Sequence, residues 1–276
     1  MRHLYPDSNR RPPHSHSWMR AKAESLPAPS RALWAALMLS LILALSTTVR
    51  AENYNHAPLG DLLSTHVRGG GVDYAGLAKD EARLNAYLTP AETFHADGLA
   101  RNEAMAFWIN MYNAWTLKLI LTKYPEVDSI KDLGSLFSSP WKKRFVKIGG
   151  KTLTLSEIEH KILREQFKDP RIHFAINCAS RSCPPLLPEA YRGATLDAQL
   201  DRATRAFINQ AVHTRIDGNR LVVSRIFKWY KEDFHDDIPA YIARYAAGSL
   251  QAALKNMSRP SEVVFMDYDW SLNDYR

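Results

Sequence analysis

A chain of 276 residues, 46% hydrophobic and 24% charged with 15 Pro and 12 Gly, excludes a disordered or fibrous protein and fits one or two globular domains. The formal charge of +7 is unevenly placed: residues 1–51 hold seven Lys/Arg against two acids, leaving 29 basic against 27 acidic residues beyond them. The body of the protein therefore has no bulk electrostatic reason to bind polyanions, and no nucleic-acid partner is expected.

The N-terminal segment reads as a signal peptide with an upstream extension, residues 1–51. Ala32 to Leu45 form an uncharged apolar run preceded by Arg20, Lys22 and Arg31 and followed by small residues, with Val49 and Ala51 placed for cleavage after Ala51. A spanning helix needs about 20 apolar residues, so a membrane is expected as a partner only if this segment stays uncleaved. Met19 is an alternative start. The mature chain, residues 52–276, is expected to form one domain in the periplasm or outside the cell.

In chain order, a first helix is expected from about Pro58 to Val67, followed by the joint Gly69-Gly70-Gly71, too short for a phosphate loop. Asn102 to Tyr124 has no Gly or Pro and is apolar nearly all round, which predicts a long, largely buried helix stopped by Pro125. Phe145–Ile148 and Lys151–Leu155 flank Gly149-Gly150 as a hairpin. Ser156 to Glu159 reads as a capping box opening a helix to about Phe167. Arg171 to Asn177 predicts a buried strand. A helix follows over Thr195 to Gln210 with an apolar stripe at Leu196, Leu200, Ala203 and Phe207. A second hairpin, Val212–Ile216 with Leu221–Ser224, turns at Asp217-Gly218. Ile238 to Asn256 predicts a helix broken at Gly248, and Val263 to Met266 a last strand. The sum is an α+β domain, mostly helical, with a small antiparallel sheet.

Three clusters carry the polar and aromatic residues: Phe107 to Trp115 (FWINMYNAW), His173 to Pro185 (HFAINCASRSCPP) and Ser224 to Phe234 (SRIFKWYKEDF). With the closing Tyr268 to Asn273 (YDWSLN), the sequence from about Val72 to Asn273 resembles the DUF547 family of uncharacterised proteins. The resemblance implies a shared fold and, as in bacterial members, an extracytoplasmic setting; it implies no reaction. A helix followed by a His-bearing strand is also the order of papain-like and transglutaminase-like folds. Here the helix has no Cys, and Asn110 stands near the usual nucleophile position.

Asn110 and Asn113 share one ridge of the long helix, and buried amides left unpaired cost about 1–3 kcal/mol each. They are expected to face His173 and the Asn177 to Ser182 loop, either as a structural clamp or as a pocket wall. Cys178 and Cys183, the only cysteines, admit several readings. A disulfide suits an oxidising compartment and leads. A nucleophilic Cys178 served by His173 has the right residue types, but five residues of extended strand span about 16 Å unless the chain turns back. A metal site with His173 lacks a fourth ligand, and two structural thiols complete the set. No metal or cofactor is expected. Asp233 is placed to orient His173 or to pair with Arg225, and Ser180, Arg181 and Ser182 add polar groups beside them.

These features favour an exported binding or scaffolding module with a polar central pocket, its partner a small-molecule or cell-envelope ligand. The alternative is a hydrolase or transferase of envelope substrates that uses His173 with Cys178 or an activated water.

Overall fold

A computed structural model describes residues 53–135, 138–257 and 260–275. The presequence expectation lies outside the described residues. Among those described, no helix is long and apolar enough to cross a membrane.

The chain opens with α1 (Ala57–His66), the two-residue strands β1 (Val67–Arg68) and β2 (Gly71–Val72), and the short helices α2 (Tyr74–Lys79) and α3 (Glu81–Leu88). The long helix is α4 (Arg101–Leu121), with fifteen of its 21 residues buried. It is the axis of the larger hydrophobic cluster, and its apolar circumference is filled from all sides by α1, α3 and the segments after it. The hairpin β3 (Val146–Ile148) and β4 (Lys151–Leu153) turns through Gly149 and Gly150, both at positive φ, where a side chain would be strained.

α5 (Glu157–Phe167) is wound as a π-helix, a rare form that sequence patterning does not announce. Its capping box lies two residues earlier than expected. The Thr154 hydroxyl accepts from Glu157 N at 3.0 Å and Thr154 N donates to the Glu157 carboxylate at 2.9 Å, whereas Ser156 makes no capping bond. Two overlapping Ser/Thr-x-x-Glu patterns compete here, and the one next to the hairpin prevails.

The expected strand over Arg171 to Asn177 is not formed. Pro170–Phe174 is a 3₁₀ turn, started by Asp169, whose carboxylate accepts from Arg171 N. The backbone beyond it finds its partners on a side chain: Asn113 Nδ2 donates to Ala175 O and Asn113 Oδ1 accepts from Asn177 N, both at 2.9 Å. With these groups satisfied by a helix amide, the segment needs no strand ladder. Ile172, Ala175 and Ile176 pack into the larger cluster while Phe174 belongs to a second one with Phe207, Phe227, Phe234 and Ile242. Residues 172–176 are thus the seam between two hydrophobic cores.

The second core rests on α6 (Leu196–Ile208), whose predicted stripe is buried, and on a three-stranded sheet. Its strands β5 (Thr214–Asp217) and β6 (Arg220–Val223) form the expected hairpin, turning at Gly218-Asn219, one residue later than expected, while β7 (Glu262–Phe265) joins β6 in parallel. Between β6 and β7 come α7 (Ile226–Trp229), a 3₁₀ turn over Lys231–Phe234, α8 (Ile238–Tyr245) and α9 (Gly248–Asn256). The C-terminal residues return across the first part of the domain, with Val72 N bonded to Asn273 O and Leu272 N to Asp128 O.

Two expectations follow for stability. Asn113→Ala leaves a buried carbonyl and a buried amide unpaired, so unfolding free energy from urea titration should fall on the order of 3 kcal/mol; a loss under about 1 kcal/mol would show that the clamp is dispensable. Burial lowers His56 and His213 to about 4, with Arg192 adding to the effect at His56. The unfolded chain then binds the extra protons below about pH 6.5, so stability declines as pH falls from there toward 4, by about 1.4 kcal/mol per unit for each histidine. Melting temperatures across that window test it, and a flat profile would contradict it.

Candidate functional site

The seam between the two cores opens into a cavity of about 350 Å³. His173, Cys178 and Cys183 face it from the turn and loop that Asn113 holds, Glu159 and His160 from α5, and Tyr230 from the end of α7. Trp141, Trp229, Tyr268 and Trp270 form its aromatic side, with ring centroids 4.5–5.7 Å apart along the contacts between them. Trp229 remains 44% exposed despite its size.

His173 is buried, its ring stacked 3.9 Å from that of Tyr230. Its Nε2 lies 2.6 Å from Asp233 Oδ2. Asp233 is held in turn by Arg164 of α5, whose Nε and Nη2 donate to its two oxygens at 2.6 and 3.0 Å. Burial alone would raise the Asp233 carboxyl, but the bonds from His173 and Arg164 outweigh it and keep the group well below the usual carboxylate range. Burial also lowers His173, against the opposing pull of Asp233. The imidazole is therefore neutral near pH 7. With Nε2–H given to Asp233, the Nδ1 lone pair is left without a hydrogen bond among the described residues.

The two cysteines are both free, so the expected Cys178–Cys183 disulfide is not formed. The loop geometry gives each sulfur another role. Cys183 Sγ, buried, accepts from Cys178 N at 2.8 Å. Cys178 Sγ, partly exposed, lies 3.2 Å from the Ser180 hydroxyl and 3.3 Å from that of Tyr268. Burial would raise the Cys178 thiol, but hydrogen bonds from Cys183, Ser180 and Tyr268 prevail and bring it below the ordinary thiol value. Burial drives Cys183 the other way, well above it. The chain does turn back between His173 and Cys178: the 3₁₀ turn and the Asn113 grip on Ala175 and Asn177 bring both to one cavity, and Ala179, buried, follows at φ +58°. A non-glycine residue in that conformation stores about 1 kcal/mol or more.

The other sequence candidates divide. Asn113 grips the loop as described, but Asn110 faces Tyr191, donating to its carbonyl and accepting from its amide at 2.8 and 2.9 Å. Both amides are satisfied by backbone and neither lines the cavity. Ser180 sits beside the thiol. Arg181 and Ser182 point elsewhere, their backbone amides bonded to Ser271 O and Asp269 O. Arg225 binds Met266 O and Asp267 rather than Asp233, because the strand β7 brings that segment alongside.

Sequence reasoning missed Glu159, His160 and Arg164. Glu159 is buried and accepts from Tyr112 OH at 3.2 Å and Tyr230 OH at 2.5 Å. His160 Nδ1 accepts from Arg164 Nη1 at 3.2 Å. The available signal was His160 and Arg164 at four-residue spacing on a helix carrying Glu159.

The arrangement sets a free thiol and a neutral, oriented imidazole on the walls of one cavity. Neither the curated proteins nor the solved structures contain a match to this chain. Residues 96–208 match the family model described as a protein of unknown function, DUF547. That stretch contains α4, α5 and the whole loop from His173 to Pro185, and over it the chain is similar to the DUF547 family.

Proposed function

We propose that the protein is a thiol-dependent acyl hydrolase or transferase, with Cys178 as nucleophile, His173 as general base and acid, and Asp233 as the group that orients His173. The observation that carries this reading is the free, hydrogen-bonded Cys178 thiol opening into the same cavity as a histidine whose far nitrogen is fixed by a carboxylate. His173 Nδ1 takes the thiol proton as Sγ bonds to the substrate carbonyl carbon and the carbonyl electron pair moves to oxygen. Collapse of that intermediate expels the leaving alcohol or amine, which takes the proton from the imidazolium. A water or acceptor hydroxyl, deprotonated by the same nitrogen, then cleaves the thioester and restores the thiol.

The walls speak for the substrate. Aromatic side chains outnumber aliphatic ones around the cavity, which suits a flat or cyclic group attached to the acyl carbon better than a long alkyl chain. Lys142 and Glu159 place one charge of each sign in the lining, which suits a neutral ligand. We place the protein outside the cytoplasmic membrane on the basic, apolar and small-residue order of the segment ending at Ala51, and so among envelope substrates.

Two outcomes are expected. Cys178→Ser should lower hydrolysis of p-nitrophenyl acetate by about a thousandfold, and His173→Gln by a comparable factor, as expected for groups acting as one unit, while intact-mass analysis of the wild type finds one acetyl group on Cys178. Unchanged turnover in Cys178→Ser and no acyl adduct would favour a binding module, the reading that the half-exposed Trp229 supports. Protein exported by a Gram-negative host should begin at Glu52. A membrane-retained chain still containing Leu37 to Leu45 would make the segment an anchor.

A further inference from the structure

We infer that Tyr268, in the C-terminal segment outside the family match, is a catalytic residue of this site: its hydroxyl donates to Cys178 Sγ and stabilises the negative charge that the sulfur takes on as it gives up its proton. The inference rests on the thiol reading above and names the group that activates the sulfur.

Four observations support it. The hydroxyl lies 3.3 Å from Cys178 Sγ and 3.4 Å from Ser180 Oγ, so it caps the more exposed of the two cysteines that line the cavity. Burial, followed by the nearby charges of Cys183 and Cys178, raises the Tyr268 phenol far above its usual value, so the group stays an O–H donor whatever the thiol does. Its ring is fixed by Trp229 and Trp270, at centroid distances of 4.8 and 4.5 Å, so the hydroxyl does not need to be ordered when the thiolate forms. Finally, the residues around it are tied to the cysteine loop. Arg181 N bonds to Ser271 O, Ser182 N to Asp269 O, Asn273 N to Ala179 O, and Asp269 N to the Ser182 hydroxyl. The C-terminal segment and the nucleophile loop are one structure, and Tyr268 is the side chain through which the first reaches the reacting atom.

When Sγ attacks a carbonyl, the charge leaves sulfur for the carbonyl oxygen, and a hydroxyl already at hydrogen-bond distance from Sγ is placed to follow it. Other groups that bear on the Cys178 charge are Cys183 from its own loop, Tyr112 on α4, Glu159 and His160 on α5, His173, Tyr230 and Lys142. Glu159 opposes the thiolate, while the Cys183 and Ser180 bonds support it. Tyr268→Phe removes this donor with a single oxygen and leaves the ring packing against Trp229 and Trp270 in place.

The test is the pH dependence of Cys178 alkylation by iodoacetamide in the full chain, located by peptide mass, which needs no substrate. Tyr268→Phe should move the midpoint up by about one to two pH units, the size expected for a lost hydrogen bond to a charged group. Tyr268→Ala cannot separate packing from chemistry, so the second variant is Tyr268→difluorotyrosine, a more acidic phenol of nearly the same shape. It should move the midpoint down. A midpoint unchanged in folded Tyr268→Phe, or in the difluorotyrosine protein if the Phe variant melts too low to assay, overturns the inference. A shifted midpoint together with acetate ester turnover that ignores Cys178→Ser would leave the Tyr268–thiol bond standing and remove the acyl-transfer reading alone.

Discussion

Asn113 supplies from one side chain what a neighbouring strand would otherwise supply from its backbone. Its amide nitrogen gives to Ala175 O and its oxygen takes from Asn177 N, so a segment with the composition of a strand can leave the sheet and run as a turn through the seam between two cores. Everything at the site depends on that freedom. A strand would send alternate side chains to opposite faces; the turn instead allows His173 and Cys178 to meet one cavity while Phe174 anchors in the second core. Asn177 continues the pattern, its side chain bonding Pro184 O and Ala179 N and so closing the cysteine loop on itself.

A second constraint fixes the charges. Arg164 is placed by the π-wound α5 and clamps Asp233 with two nitrogens, while Asp233 spends one oxygen on His173 as well. The carboxylate arrives from the 3₁₀ turn after α7, and the cation from before the seam. The pair therefore ties the two halves of the domain together at the point where the imidazole must be held still. Bidentate guanidinium–carboxylate geometry favours this duty over a single lysine contact.

Local periodicity made the framework legible. α4, α6 and both hairpins lie within a few residues of their expected bounds, because an apolar circumference, an apolar stripe and a glycine turn are each written in adjacent residues. RIHFAIN was misread because its apolar composition is that of a strand, and the amide that takes its hydrogen bonds lies about sixty residues earlier in the chain. The overlapping boxes at Thr154 and Ser156 illustrate a smaller ambiguity of the same kind. At the site, His173, Cys178 and Asp233 stood out by residue type. Glu159, His160 and Arg164 did not, since charged residues on an amphipathic helix look like a solvated face until the partner that buries them is known. Asn110 looked like Asn113 in sequence, and only the position of Tyr191 separates their roles.

The bonds between residues 269–273 and the cysteine loop also set an order in time. A chain made from its N-terminus delivers Cys178 long before Asp233, and Asp233 well before the residues that close over Ser180 and Ser182. A nascent or truncated polypeptide thus carries its thiol without the oriented histidine and without the closing strap. The sulfur acquires its final surroundings only after residues 268–273 have been made, so a polypeptide interrupted before Tyr268 lacks the hydroxyl that meets Cys178 Sγ.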